Sequence, residues 1–211
     1  MTPPPPEGLE FPAPMHLSPD VAAASDARSD RAAAPVPAPR RATLRFMLAH
    51  PAHWIALGFG SGLSPVAPGT VGTLWAWAAF LALAPHLGDG GWAVLIGTAA
   101  VVGWWACSVT ARHLGVADPG AIVWDEILAF WLVLWLVTPA GLFGQVVAFG
   151  LFRYFDAAKP GPVGWADRLF KPHRAADGSL AIGAPQGAGI LLDVLVAALC
   201  ALLVIALWRA L

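Results

Sequence analysis

The stretch Ile122-Val-Trp-Asp-Glu-Ile-Leu-Ala-Phe-Trp-Leu-Val-Leu-Trp-Leu-Val137 decides how the rest of the chain is read. Apart from Asp125 and Glu126 every side chain in it is apolar or aromatic, the pattern of a membrane helix. A charge inside such a helix costs at least ~2.5–3.5 kcal/mol on insertion scales, which makes an intramembrane carboxylate a functional candidate. The structural alternative is that both carboxylates cap the helix N-terminus and favour its dipole. The choice turns on how many other polar groups reach the same place.

Composition points the same way. The 211-residue chain is 58% hydrophobic and 12% charged, too apolar for an ordinary soluble domain. Its 11 Trp suit a protein with membrane interfaces. A net charge of −1 argues against nucleic-acid binding and against a strongly acidic partner. Cys107 and Cys200 fall in separate apolar runs without metal-type spacing, and read as small buried hydrophobes rather than a disulfide.

Residues 1–43 form a Pro/Ala-rich tail, expected to be disordered because repeated Pro blocks helix and the segment has little to bury. Residues 44–211 are expected to form one membrane-embedded domain. Leu44 to Leu57 is too short to span and reads as interfacial. Pro51 separates His50 from His53, so the two do not read as a helical metal pair.

Gly58-Phe-Gly-Ser-Gly-Leu-Ser-Pro-Val-Ala-Pro-Gly-Thr-Val-Gly-Thr73 is expected to be irregular throughout, since its Gly and Pro break helix and strand alike. It lacks both Gly-Lys-Ser/Thr and Gly-x-Gly-x-x-Gly, so it is no nucleotide loop. A loop delivering backbone N–H groups to a helix start is nonetheless a natural anion cradle. Apolar runs at Val71–Leu87, Gly91–Ala111, Ala121–Thr138, Leu142–Lys159 and Gly187–Leu211 make an all-α polytopic bundle of about five spans.

Lys and Arg set the orientation. Arg40, Arg41, Arg45, Arg112, Arg153, Lys159, Arg168, Lys171 and Arg174 flank one set of span ends, whereas the links at 85–90 and 139–144 carry neither residue type. By the positive-inside rule the basic side is cytoplasmic. The Gly/Ser/Pro loop, Asp125–Glu126, Arg153–Lys159 and Asp193 then share one face. Carboxylates suit Mg²⁺, while Arg and Lys suit phosphate oxygens. Metal-assisted phosphoryl transfer on a phospholipid wants both.

The same residues carry a resemblance. The Gly58–Thr73 loop, Val123-Trp-Asp-Glu126, Phe152-Arg-Tyr-Phe-Asp-Ala-Ala-Lys-Pro-Gly-Pro162, Trp165-Ala-Asp-Arg168 and Gly187-Ala-Gly-Ile-Leu-Leu-Asp193 resemble the phosphatidylglycerophosphatase A family. The resemblance implies a Mg²⁺-dependent enzyme of the inner (cytoplasmic) membrane, multi-pass, with a cytoplasm-facing site. It would remove the terminal phosphate of phosphatidylglycerophosphate to give phosphatidylglycerol. On this expectation Asp125, Glu126, Asp156 and Asp193 hold the metal, the first three being catalytic, and Arg153, Lys159, Ser64, Thr70 and Thr73 bind substrate. An activated water and an aspartyl-phosphate both fit as the nucleophilic route.

One departure is Val194, where the family pattern has a second Asp; Asp167 or Asp177 would be the substitutes. A longer connection from Lys171 to Gln186 is another. The competing readings are a small transporter or channel subunit using the same charges, and a catalytically impaired family member serving as a membrane scaffold.

Overall fold

A computed structural model describes residues 41–115, 119–160, 164 and 184–210, with the side chains of the last helix described from Val194 onward. The tail expected over 1–43 lies almost wholly outside this range, as do Arg168, Lys171, Arg174, Asp167, Asp177 and the side chain of Asp193.

The described residues are helical, without strands. Two short helices come first, α1 (Leu44–Leu48) and α2 (Pro51–Ala56). The Thr43 side chain caps α1 by accepting from the Phe46 N–H, and His50 caps α2 by accepting from the Ala52 N–H. Pro51 opens α2 instead of merely breaking a longer helix, because its fixed φ suits the first helical position. Tight turns over Gly58–Leu63 lead to α3 (Pro68–Leu83). Then come α4 (Asp89–Leu114), α5 (Trp124–Val137), α6 (Leu142–Ala158) and α7 (Ala184–Ala210).

The expectation that Gly58–Thr73 is irregular throughout is corrected: the helix begins at Pro68. Proline again supplies the first-turn φ, and the glycines that follow are used for close packing rather than for loop freedom. Among the described residues only α4 is long and apolar enough to cross a bilayer outright. The 16 residues of α3, 14 of α5 and 17 of α6 cover ~20–26 Å at 1.5 Å each.

Helix α5 is the axis of the bundle and touches α3, α4, α6 and α7. Ile127, Phe130, Val133 and Leu134 are almost wholly enclosed. Its neighbours approach closely through small residues: a Cβ at Gly103 of α4 would collide with the Trp124 ring, and one at Gly72 of α3 would sit 2.9 Å from Val123 Cβ. Indole N–H groups tie the helices together: Trp124 donates to Ala99 O at 3.0 Å, Trp131 to Ala76 O at 2.9 Å and Trp77 to Gln145 Oε1 at 2.7 Å. Each buried donor is thereby satisfied, as an indole in an apolar interior requires.

These links also fix directions. At one end Trp135 donates to Asp89 and Arg209 to Val137 O. At the other, α2 packs on the last turns of α4 through His53 and His113. Because Trp124 is level with Ala99–Gly103, the start of α5 is set back from the Leu114 end of α4 by about three turns, ~16 Å. Cys107 and Cys200 are free thiols, the first buried and the second half-buried.

Candidate active site

The recessed start of α5 brings Asp125 and Glu126 into the bundle rather than to its rim. Asp125 is 6% exposed. Its Oδ1 and Glu126 Oε2 are enclosed without a hydrogen-bond partner. An unsatisfied buried carboxylate oxygen costs more than an ordinary orphaned group, so such atoms are kept for a ligand or an ion. The helix-cap alternative is weakened by this burial, because a cap at the surface would hydrogen-bond to backbone N–H groups or water.

The first turn of α3 forms the facing wall. A Cβ placed on Gly69 would run into Glu126 Oε1 and come within 3.2 Å of Arg153 Nη1. Gly69, Glu126 and Arg153 therefore meet from three helices at one point. Arg153 and Asp156, one turn apart on α6, form an ion pair. Both are largely covered, at 18% and 10% side-chain exposure, so the pair is partly desolvated and better held than a surface one. Asp156 is brought toward the same wall by its pair with Arg153, whose Nη1 stands with Glu126 Oε1 at Gly69. Lys159 follows as the left-handed cap of α6, with φ 44° and ψ 49°.

The Ser/Thr groups divide differently from the sequence expectation. Thr70 is half-buried in the first turn of α3. Thr73 is fully enclosed, and its hydroxyl donates to Gly69 O at 2.8 Å within the same helix. Ser64 donates to Val66 O at 2.8 Å, closing the turn before the helix. Ser64 and Thr73 thus shape the loop and the helix.

The glycines, read from sequence as cradle residues, chiefly hold the carboxylate helix in place. A Cβ on Gly58 would lie 2.7 Å from Ile127 Cδ1, and one on Gly62 would overlap Ala121 O. The segment 121–127 is clamped between this loop and α4. Gly103 is the residue that sequence reasoning missed; the signal available was only a Gly inside an apolar helical run, which marks close approach without naming the partner.

The donors are of the kind that a hard divalent cation takes: two orphaned buried carboxylate oxygens, with Asp156 paired to the neighbouring Arg153. Among the described residues no three His, Cys, Asp or Glu side chains complete a metal site alone. The fourth expected ligand, Asp193, has its side chain outside the described residues. Val194, where a second Asp was expected, is 5% exposed and part of the hydrophobic core.

Residues 54–209 match the family model described as phosphatidylglycerophosphatase A. The phosphatidylglycerophosphatase A of Escherichia coli (strain K12) is 39% identical over 59% of this chain and 72% of its own length. That of Haemophilus influenzae is 32% identical over 76% of this chain and 90% of its own. A putative phosphatidylinositol-3-phosphatase of Bacteroides thetaiotaomicron is 40% identical over 50% of this chain and 70% of its own length. No solved structure matches the chain. With the family match spanning every helix of the bundle from α3 to α7, the chain belongs to the phosphatidylglycerophosphatase A family.

Proposed function

We propose that the chain is a Mg²⁺-dependent lipid phosphatase that hydrolyses the phosphomonoester of phosphatidylglycerophosphate to phosphatidylglycerol and phosphate. Family membership supports the enzyme class. The observation that carries the site is the meeting of Glu126 and Arg153 at Gly69, beside the orphaned oxygens of Asp125 and Glu126.

Arg153 binds phosphate oxygens through its planar fork, and Asp156 holds that fork in place. Gly69 lies in the first turn of α3, where the helix dipole favours negative charge. Asp125, Glu126 and Asp156 would hold Mg²⁺, with Asp193 as a further ligand. When bound, the ion neutralises charge on the phosphoryl oxygens. Hydrolysis forms a P–O bond from water and breaks the bond to the headgroup alcohol, which takes up one proton as it leaves. Recession of the site below the end of α4 limits bulk water around the reacting group, which strengthens each of these charges.

The lipid substrate and a multi-pass location in the inner membrane, with the site on the cytoplasmic side, rest on a second set of features. Large apolar side chains face outward on α3, α4, α6 and α7, among them Leu81, Val94, Val101, Phe143, Leu203 and Leu207. Patches of this extent mark contact with another apolar phase. Gly103 and Gly72 at the helix contacts suit association in lipid, where close packing replaces the hydrophobic drive. Short helices such as α5 would cross with the help of local thinning and of a re-entrant start, which α4 packs against and whose Val123 N–H donates to Ala56 O of α2 at 3.0 Å.

The test is phosphate release by purified protein from phosphatidylglycerophosphate in mixed micelles, with Mg²⁺ and with EDTA. Phosphatidylinositol 3-phosphate serves as the competing substrate. Mg²⁺-dependent release with preference for phosphatidylglycerophosphate is expected. Release unaffected by EDTA removes the metal from this account, and no release from either lipid removes the function.

A further inference from the structure

Helices α3 and α6 both pack on α5 but, among the described residues, not closely on each other. Side chains bridge them instead, at two levels. The first bridge is the wall of the candidate site, where Gly69 of α3 approaches Arg153 of α6 beside Glu126. The second is built on Trp77 of α3. Its indole N–H donates to Gln145 Oε1 of α6 at 2.7 Å, and its ring stacks on Phe149 with centroids 5.7 Å apart. Phe130 of α5 stands edge-on to both rings, at 6.5 Å from Trp77 and 5.8 Å from Phe149.

The two bridges are one helical turn apart on α5 and on α6. Phe130 lies at i+4 from Glu126, and Phe149 at i−4 from Arg153, so each pair shares a helix face. On α3 the interval from Gly69 to Trp77 is roughly two turns.

Gly69 brings no side chain with which to set the width of the first bridge. One turn on, the Thr73 hydroxyl donates back to Gly69 O rather than across to α6. The second bridge is held on both sides. An indole N–H can only donate, which fixes the oxygen of the Gln145 amide toward it, and the amide nitrogen donates to Ala140 O at 3.2 Å. Both halves of the amide are engaged, and in apolar surroundings a freed partner finds no water to replace the bond.

The geometry points to Trp77 and Gln145 as positioning residues for the reaction: their bond sets the distance between the first turn of α3 and Arg153. Both act through Phe149 and the turn of α6 that carries Arg153. The inference rests on the phosphatase reading for its reaction, and its test separates the two.

Trp77→Phe removes the donor and keeps a ring for the Phe149 stack, while Gln145→Met removes the acceptor at similar length. Turnover on phosphatidylglycerophosphate is measured together with inhibition by inorganic phosphate. The spread between α3 and α6 is measured apart from activity. Spin labels on Leu74→Cys and Val146→Cys, both at exposed positions, report it by electron paramagnetic resonance in EDTA, in a Cys200→Ala background.

Expected for each single variant is a longer and broader distance distribution. Its kcat/KM should fall about tenfold, and the inhibition constant of phosphate should rise by a similar factor. The double variant Trp77→Phe/Gln145→Met removes donor and acceptor together, so its thermal midpoint should return toward that of the wild type. Its turnover should stay low, because the link is still absent; a merely structural bond would not separate stability from activity in this way. If wild-type protein hydrolyses the lipid and Trp77→Phe keeps both the distance and kcat/KM, the positioning role is overturned and the phosphatase stands. A longer distance with unchanged turnover overturns it too, as does a double variant that recovers turnover along with its midpoint. If the labels move apart in Trp77→Phe but wild-type protein releases no phosphate, the bridge stands and the phosphatase is overturned.

Discussion

Glu126 Oε1 occupies the space where a side chain on Gly69 would have to go. The first turns of α3 and α5 are thus in contact through a bare backbone on one side and a carboxylate on the other. In an ordinary helix Gly→Ala stabilises by roughly 0.5–1 kcal/mol. Here Gly69→Ala should leave helix content and thermal midpoint unchanged or slightly raised, while turnover on phosphatidylglycerophosphate drops by about 10²-fold, the usual effect of displacing a reacting group by ~1 Å. Parallel circular dichroism and kinetics check it. Full activity would mean that Glu126 does its work from another position, or does none.

The carboxylates are tested at nearly constant shape. Asp125→Asn, Glu126→Gln and Asp156→Asn should each reduce turnover by roughly 10²-fold or more, through lost charge stabilisation in the transition state. Raising Mg²⁺ should partly rescue a variant that weakens only metal affinity. Asp89→Asn is the control: its oxygen accepts from Trp135 Nε1 at the far end of the bundle, and an amide oxygen can accept as well. Should Asp125→Asn and Asp156→Asn both retain wild-type turnover, the shared metal site does not exist.

Two glycines of α4 should respond with opposite signs. Gly103 faces the Trp124 ring, whereas nothing lies within 4 Å of a Cβ on Gly97. Gly103→Ala should destabilise by ~1–3 kcal/mol through overpacking, and Gly97→Ala should stabilise by ~0.5–1 kcal/mol through backbone entropy. Unfolding in mixed micelles measures both. The same sign for the two would show that Trp124 can move aside, and that the start of α5 is not clamped as described.

What could be read in the sequence follows from what each signal measures. Apolar periodicity and Pro placed the helices to within a few residues, and Arg153 with Asp156 fell on one face as their spacing required. The helical start at Pro68 was hidden because Pro and Gly read locally as breakers, while the same Pro is favourable at a first turn. The depth of Asp125 was hidden as well. It depends on Trp124 being level with Ala99 and Gly103, a pairing between helices that no local pattern encodes. Thr73 looked like Ser64 and Thr70 in a polar loop, yet a helix turns every residue by 100°, and that rotation sends it inward.

The last prediction concerns the contact that holds α2 to α4. Phe46 O can only accept, so His53 Nδ1 carries the proton in their 2.8 Å bond. His53 Nε2 must then accept from His113 Nδ1, 2.9 Å away. Burial holds the His53 pKa below its usual 6.5 despite the favourable bond to Phe46 O, and His113 and His50 add repulsion. The folded protein therefore binds fewer protons at this residue than the unfolded chain does. Its contribution to stability is complete above pH 6.5 and is lost as the pH falls below that value toward the lowered native pKa. Thermal midpoints measured from about pH 7.5 down to pH 5, above the usual range of exposed carboxylates, should fall for the wild type. In His53→Gln, whose side chain does not titrate, the curve should be flatter over the same interval although lower at pH 7.5. Identical slopes in the two proteins would show that the pH dependence comes from elsewhere, and that the hydrogen-bonded pair of His53 and His113 does not control the docking of α2.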